Sequence, residues 1–148
     1  MTADRICKAK YPANDGEGAR VHGGRWNHKG TPMIYCGQTA SLAALEVLAT
    51  SAGLPSNMVI IQAWIPDTMK IKKLQRADLP GDWNSAVPSD STRDIGTDWA
   101  ASMETAVLSV PSAVVDREKN YLINPRHRDF GLITFSAPEP FNFDPRLK

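Results

Sequence analysis

The chain has 148 residues, 17 of them basic and 16 acidic, so its formal net charge at pH 7 is +1. Because a general nucleic-acid or membrane-surface binder carries a clear basic excess, this balance argues against both classes. The length fits one domain, 1–148, and the 42% hydrophobic and 22% charged content is ordinary for a globular protein.

Cysteine and histidine usage gives no sign of a metal site or a disulfide framework. Cys7 and Cys36 share no short spacing, and the three histidines show no metal-ligand pattern, so we expect reduced thiols and no metal. Residues 1–10 are polar and lack the apolar core of a secretory signal, which favours a cytoplasmic protein.

Short apolar runs bounded by glycine or proline predict the strands. Pro111 lies near the start of one of them and indicates an edge or bulge position. Phe141 and Phe143 lie in a C-terminal tail that we expect to pack back on the sheet. The predicted strands cover residues 5–11, 33–36, 57–65, 69–74, 109–115, 120–125 and 130–136.

Two helices are predicted, over residues 41–52 and 94–103. Thr39 or Ser41 can cap the first, and glycine and proline follow its end. The second helix is expected to turn Trp99 inward. Between predicted elements, residues 12–20 form a loop and residues 76–93 form a long excursion, which Trp83 can anchor and which leaves a lid role open. Strands dominate without regular alternation, which predicts an α+β fold with few helices on a mixed or antiparallel central sheet.

One helical carboxylate is isolated from other charges. Glu46 lies four residues after Leu42, on or beside the apolar face of the first helix. It is the only charged residue between Thr39 and Asn57, so no intrahelical partner can pair with it. An exposed glutamate and a half-buried, functional one both remain open, and the second needs hydrogen-bond donors from elsewhere in the fold.

The turn Gly23-Gly24-Arg25-Trp26-Asn27 carries an arginine fork that suits phosphate oxygens. Brought together with Tyr35 and Glu46, Arg25 would form a nucleotide pocket; the alternative is a glycine turn with a surface arginine. Ser112 and Asn124 can hydrogen-bond, either in a site or as ordinary strand-end residues. No glycine pattern here completes a dinucleotide fingerprint, a P-loop or a nucleophile elbow.

Five segments of the chain, taken in sequence order, resemble the RES domain family, and the resemblance covers nearly the whole chain. The family takes its name from an arginine, a glutamate and a serine, whose positions Arg25, Glu46 and Ser112 match. Tyr35 matches the family's active-site tyrosine, and Asp116 departs from the family pattern, which has a proline there. The segments are Gly23-Gly24-Arg25-Trp26-Asn27, Tyr35, Leu42-Ala43-Ala44-Leu45-Glu46, Val110-Pro111-Ser112-Ala113-Val114-Val115 and Asn120-Tyr121-Leu122-Ile123-Asn124-Pro125.

The resemblance implies a fold similar to that of ADP-ribosyltransferase toxins. It further implies a cytoplasmic bacterial toxin of a type II toxin–antitoxin pair, partnered by an Xre-type helix-turn-helix antitoxin. Such an enzyme would degrade NAD, its substrate, by cleaving the nicotinamide–ribose bond without a metal. Water, phosphate or a protein side chain could each serve as acceptor. A nucleotide-binding module without catalysis and a plain protein-interaction domain are the alternatives.

Residue chemistry then suggests a role for each matched position. Glu46 would stabilise positive charge developing on the ribose, as expected for an oxocarbenium-like transition state. Arg25 would hold the pyrophosphate, and Tyr35 would stack on the nicotinamide ring. Ser112 would hydrogen-bond to Glu46 or to the ribose, and Asn124 would contact the cofactor from the neighbouring segment.

Overall fold

The computed structural model describes residues 1–147, which form eight β-strands and three α-helices. Seven strands lie side by side in the order β4 (Ile71–Lys73), β5 (Val107–Pro111), β6 (Lys119–Ile123), β2 (Ile34–Gly37), β1 (Thr2–Lys8), β3 (Met58–Trp64) and β7 (Thr134–Phe135), and β8 (Glu139–Phe141) pairs with the remaining part of β3. Only the β4–β5 pair is parallel among these residues, so the sheet is mixed. The predicted α+β fold with a mixed central sheet and few helices is therefore confirmed.

The helices are α1 Glu17–His22, α2 Ala40–Thr50 and α3 Asp90–Ser102. Short 3₁₀ turns follow at Arg76–Asp78, Phe130–Leu132 and Pro145–Leu147.

The two faces of the sheet carry separate cores. On one face, small and branched side chains from β1, β2, β3, β5 and β6 form one core. Ile133 and Phe130 pack against it. The opposite face carries both long helices: α2 packs on Ile6 and Met58, and α3 packs on Leu108 and Leu122. Both helices lie on the same face of the sheet, and the name cleft is used for the region that Arg25, Tyr35, Glu46 and Asn120 border on this face.

The helix α2 starts where its sequence predicts. The Thr39 hydroxyl accepts a hydrogen bond from the Leu42 amide at 3.1 Å and caps the first turn. Leu42, Ala43 and Leu48 are buried against the sheet. This burial fixes the rotation of the helix and therefore the direction in which Glu46 projects.

The long excursion predicted over residues 76–93 is shorter than expected. A 3₁₀ turn opens it, and the first turn of α3 already starts at Asp90. Trp83 does anchor it, with only 7% of its surface exposed, and packs with the inward-turned Trp99. The segment is therefore attached to the core beside α3.

Two other local predictions need correction, and a third holds. Residues 12–20 do not form a simple loop, because α1 begins at Glu17. Of the predicted strand 130–136, only Thr134–Phe135 forms a strand, which pairs with β3, because Phe130–Leu132 form a 3₁₀ turn. The C-terminal tail does pack back, and it goes further than expected: β8 pairs with β3, and Phe143 is buried.

Gly96 lets α3 lie directly on the turn that follows α1. A Cβ atom at this position would come within 1.8 Å of the Trp26 carbonyl oxygen. Real Cβ atoms do not approach a backbone oxygen this closely, so a side chain would push the helix off the turn. The turn formed by residues 23–27, which carries Arg25, is thus held at its position by a helical glycine.

We expect Gly96→Ala to lower the free energy of unfolding by about 3 kcal/mol or more, because the clash is with backbone. For a domain of this size that corresponds to a fall in Tm of roughly 10 °C in a thermal melt. Gly18→Ala in α1 is the matched control, since a Cβ there meets nothing within 4 Å, and it should be neutral or slightly stabilising. Equal melting temperatures for Gly96→Ala and the native chain would contradict this interpretation.

Candidate active site

Glu46 receives its hydrogen bonds from two segments outside its own helix. The Ser112 hydroxyl donates to Glu46 Oε1 at 2.6 Å, and the Asn120 side-chain amide donates to the same oxygen at 2.8 Å. Glu46 is half-buried. The donors that an isolated helical carboxylate was expected to need are therefore present, and they join α2 to the β5–β6 connection.

The hydroxyl of Ser112 has only one direction in which to donate. Its oxygen accepts the backbone amides of Val114 and Val115, each at 3.0 Å. Since a hydroxyl has two lone pairs and one proton, the proton is left for Glu46. Both donors use Oε1, and among residues 1–147 no hydrogen bond reaches Oε2. The second carboxylate oxygen is thus left available to a ligand.

Sheet register places Asn120 under α2. It pairs with Gly37 of β2 on one side and with Val110 of β5 on the other. Directly paired residues share a face of the sheet, and this is the face on which α2 lies. Ser112 follows the end of β5 and is fully buried, with its own amide bonded to the Glu118 carbonyl at 2.9 Å.

Arg25 lies close to Glu46 and Tyr35. Burial lowers the pKa of the Arg25 guanidinium, while the charge of Glu46 raises it. Its Nη1 donates to the Trp83 carbonyl at 3.0 Å, which ties the turn to the 79–89 segment. Since a guanidinium has five donor hydrogens, the fork keeps capacity for an anion.

Tyr35 is locked into the turn by two hydrogen bonds. Its hydroxyl donates to Asn27 Oδ1 at 2.6 Å and accepts the Trp26 amide at 3.1 Å. Burial raises the pKa of this phenol well above its ordinary value, so it stays protonated at neutral pH. Gly24 permits the contact, because a Cβ there would lie 2.7 Å from the Tyr35 hydroxyl.

A second arginine, Arg93 of α3, borders the same site. Its Nε donates to the Gly24 carbonyl at 3.2 Å. The charge of Arg93 lowers the pKa of both Arg25 and Tyr35, although burial has the larger effect on each. Two guanidinium groups therefore lie at the turn of residues 23–27, an arrangement that favours a ligand with more than one negative charge.

Asn124 is not part of this cluster. It is buried, and its amide donates to the Ala100 carbonyl at 3.0 Å while its oxygen accepts the Arg126 amide at 2.9 Å. These bonds tie the end of α3 to the segment after β6. The geometry therefore gives no support to the cofactor contact expected for Asn124, and Asn120, four residues earlier, reaches the site instead.

The sequence indicated four of these site residues and did not indicate two, Asn120 and Arg93. The four are Arg25, Tyr35, Glu46 and Ser112. A signal for Asn120 existed, because alternation along β6 puts it on the same face as Leu122. Arg93 had no such signal, since it was assigned to the excursion rather than to a helix. His127 lies in the loop after β6, where it is buried, and its Nε2 lies 3.0 Å from the Met103 carbonyl oxygen.

Residues 1–147 contain no group of three or more His, Cys, Asp or Glu side chains that could hold a metal ion. Over the same residues, no helix combines the length and apolar character that crossing a bilayer requires. The polar groups of the cleft are a carboxylate, two guanidiniums, a phenol, a hydroxyl and an amide, which suit a phosphorylated sugar ligand.

The chain is similar in sequence and in fold to known proteins. The chain is 42% identical over 153 residues to "Toxin Res" of Yersinia enterocolitica, an alignment that covers all of both chains. It is 35% identical to the "Prs ADP-ribosylating toxin" of Sphingobium sp., over 93% of this chain and 89% of that one. In fold it is similar to a chain of the M. tuberculosis MbcT–MbcA toxin–antitoxin complex. That match has a TM-score of 0.76 at 20% identity and covers 99% of this chain and 86% of the other.

The sequence model of the RES domain matches residues 2–144, which is nearly the whole chain. Together with the identity to the Yersinia protein, this match shows that the chain belongs to the RES domain family.

Proposed function

We propose that this protein is the toxin of a toxin–antitoxin pair and that it destroys NAD by cleaving the bond between nicotinamide and ribose. The observation that carries the proposal is the carboxylate of Glu46, held at Oε1 by Ser112 and Asn120 beside the Arg25 guanidinium. Family membership supports the same function, and so do the names of the two relatives, both of which are toxins.

The chemistry fits a single well-placed carboxylate. The bond between ribose C1′ and the pyridinium nitrogen breaks, and its electron pair neutralises the nitrogen, so nicotinamide needs no general acid to leave. Positive charge then develops on the ribose, as in other glycosidic cleavages. Glu46 Oε2 is the oxygen that would face this charge and the ribose hydroxyls. A fixed negative group at that place stabilises the transition state more than the ground state.

Arg25 and Tyr35 would orient the dinucleotide in this scheme. The guanidinium would bind the pyrophosphate through charge-assisted hydrogen bonds. The phenol ring would pack against nicotinamide, with its hydroxyl kept out of the chemistry by Asn27 and Trp26. The ring and the guanidinium would therefore fix the C1′ atom relative to Glu46.

Three acceptors can complete the reaction. An oxygen of water or of phosphate can form the new bond to C1′, and the water would release a proton to solvent. A protein side chain is the third acceptor, and the relative named an ADP-ribosylating toxin favours it as the second candidate function.

A neutralising partner follows from the proposed activity, because uncontrolled loss of NAD would kill the cell that makes the protein. The similar M. tuberculosis fold was solved as a toxin–antitoxin complex. We infer that the partner of this chain is an Xre-type helix-turn-helix protein, as the resemblance of the sequence implies.

Glu46→Gln should reduce nicotinamide release from NAD by about a hundredfold or more, since it removes the negative charge but keeps the shape. Arg25→Ala should act mainly through binding and raise KM for NAD about tenfold. Both are measured by chromatography of nicotinamide after incubation of the purified protein with NAD. Glu139→Gln, an exposed carboxylate of β8, is the matched control and should keep full activity. Native rates in both test variants would exclude the proposed catalytic site.

Asn120 is proposed as a positioning residue that acts through Glu46. Asn120→Ala removes one of the two bonds to Oε1 and should lower kcat about tenfold with little change in KM. Asn120→Asp keeps the size but puts a like charge against the carboxylate, so it should lower kcat further. Asn142→Ala, an exposed residue after β8, is the control. Activity that is equal in Asn120→Asp and the native chain would remove the positioning role.

The acceptor is identified by mass spectrometry of the ribose-containing product, with and without phosphate. Free ADP-ribose formed in phosphate-free buffer is the result expected for hydrolysis, and a product heavier by a phosphate group is the result expected for phosphorolysis. If nicotinamide is released only when a protein target is added, and that target gains ADP-ribose, the second candidate function replaces the first.

A further inference from the structure

A basic groove lies on the outer side of the turn that carries Arg25. Its volume is about 410 Å³, within the range that small-molecule sites occupy. Four of its lining residues carry basic side chains, and the backbone of the turn completes it. The lining residues are His22, Gly23, Asn27, His28, Lys29 and Arg93.

The groove carries positive charge with no acid in its lining. Lys29 and Arg93 are charged at neutral pH, and none of the described residues that line the groove is acidic. Asp94 of α3 lies outside the lining and holds the imidazole of His28, with His28 Nε2 2.6 Å from its Oδ1. The His28 amide also donates to the Thr97 hydroxyl at 3.0 Å. The wall formed by His28 is therefore fixed to the helix.

Arg93 borders both the groove and the turn that carries Arg25. Its side chain lines the groove, bonds to the Gly24 carbonyl, and its charge acts on Arg25 and Tyr35. Asp90 lies 3.4 Å from its Nη1, and 31% of the side chain remains exposed. Arg93 is therefore shared by the groove, which Lys29 also lines, and by the turn that carries Arg25.

We propose that the basic groove binds the adenosine diphosphate half of NAD, a step that rests on the proposed function. Cleavage at C1′ requires the nicotinamide ribose at Glu46, so the two phosphates must extend away from that carboxylate. The groove supplies a guanidinium for phosphate oxygens, an ammonium at its rim, and space for the adenosine. Arg93 and Lys29 are then binding residues for the half of the substrate that does not react.

The test uses ADP as the probe and isothermal titration calorimetry as the readout, with no turnover involved. Arg93→Ala should weaken ADP binding about tenfold, and Lys29→Glu by a similar factor, because each removes a charged partner of the phosphates. Adenosine, which has no phosphate, should bind much more weakly than ADP to the native chain. Lys8→Ala, on the exposed end of β1, is the control and should leave ADP binding unchanged.

Kinetics with NAD give a second readout on the same variants. Loss of a contact to a non-reacting phosphate should raise KM by about the factor seen for ADP and leave kcat within about twofold. Lys29→Glu separates binding from folding, because Lys29 is exposed; its melting temperature should match that of the native chain. ADP affinity and KM that are unchanged in both variants would overturn the groove as a nucleotide site.

The outcomes also separate the groove from the proposed function. If ADP binding depends on Arg93 and Lys29 but the native chain releases no nicotinamide, the groove is a nucleotide site and the proposed NAD cleavage is wrong. If Glu46→Gln abolishes cleavage while ADP binds equally to all variants, the proposed NAD cleavage is supported and the assignment of the groove is wrong.

Discussion

The architecture of this site depends on one shared oxygen atom, Glu46 Oε1, which accepts bonds from Ser112 and from Asn120. A half-buried carboxylate loses hydrogen bonds to water, and hydrogen bonds from fixed protein donors must replace them. The donors here come from the connection after β5 and from β6, while the acceptor comes from α2. The two bonds therefore orient the carboxylate and join the helix to the sheet at the floor of the cleft.

The hydroxyl of Ser112 shows how local geometry sets this orientation. Two backbone amides donate to its two lone pairs. Its single proton is therefore donated to Glu46 and to no other acceptor. A serine is well suited to this task because its hydroxyl donates and accepts at once. In this structure Ser112 therefore orients the carboxylate of Glu46.

Cationic groups on the other wall are placed by close backbone contacts. Gly96 lets α3 lie against the Trp26 carbonyl, and Gly24 lets the turn close on the Tyr35 hydroxyl. These contacts place Arg25 and Arg93 on the same side of the cleft. Negative charge at Glu46 and positive charge opposite it suit a ligand that is cationic at one end and doubly anionic in the middle, as NAD is.

The sequence by itself determined the α+β class, the capped helix α2, the isolation of Glu46 and the identity of Arg25, Tyr35 and Ser112 as candidates. These follow from local signals: periodicity, capping residues, glycine turns and ordered motifs. Only the tertiary structure decided that Asn120 rather than Asn124 reaches Glu46, and that Arg93 joins the site. Register across β2, β5 and β6 sets the first, and the packing of α3 on the Arg25 turn sets the second. Both are contacts between residues far apart in the chain, which local sequence patterns do not encode.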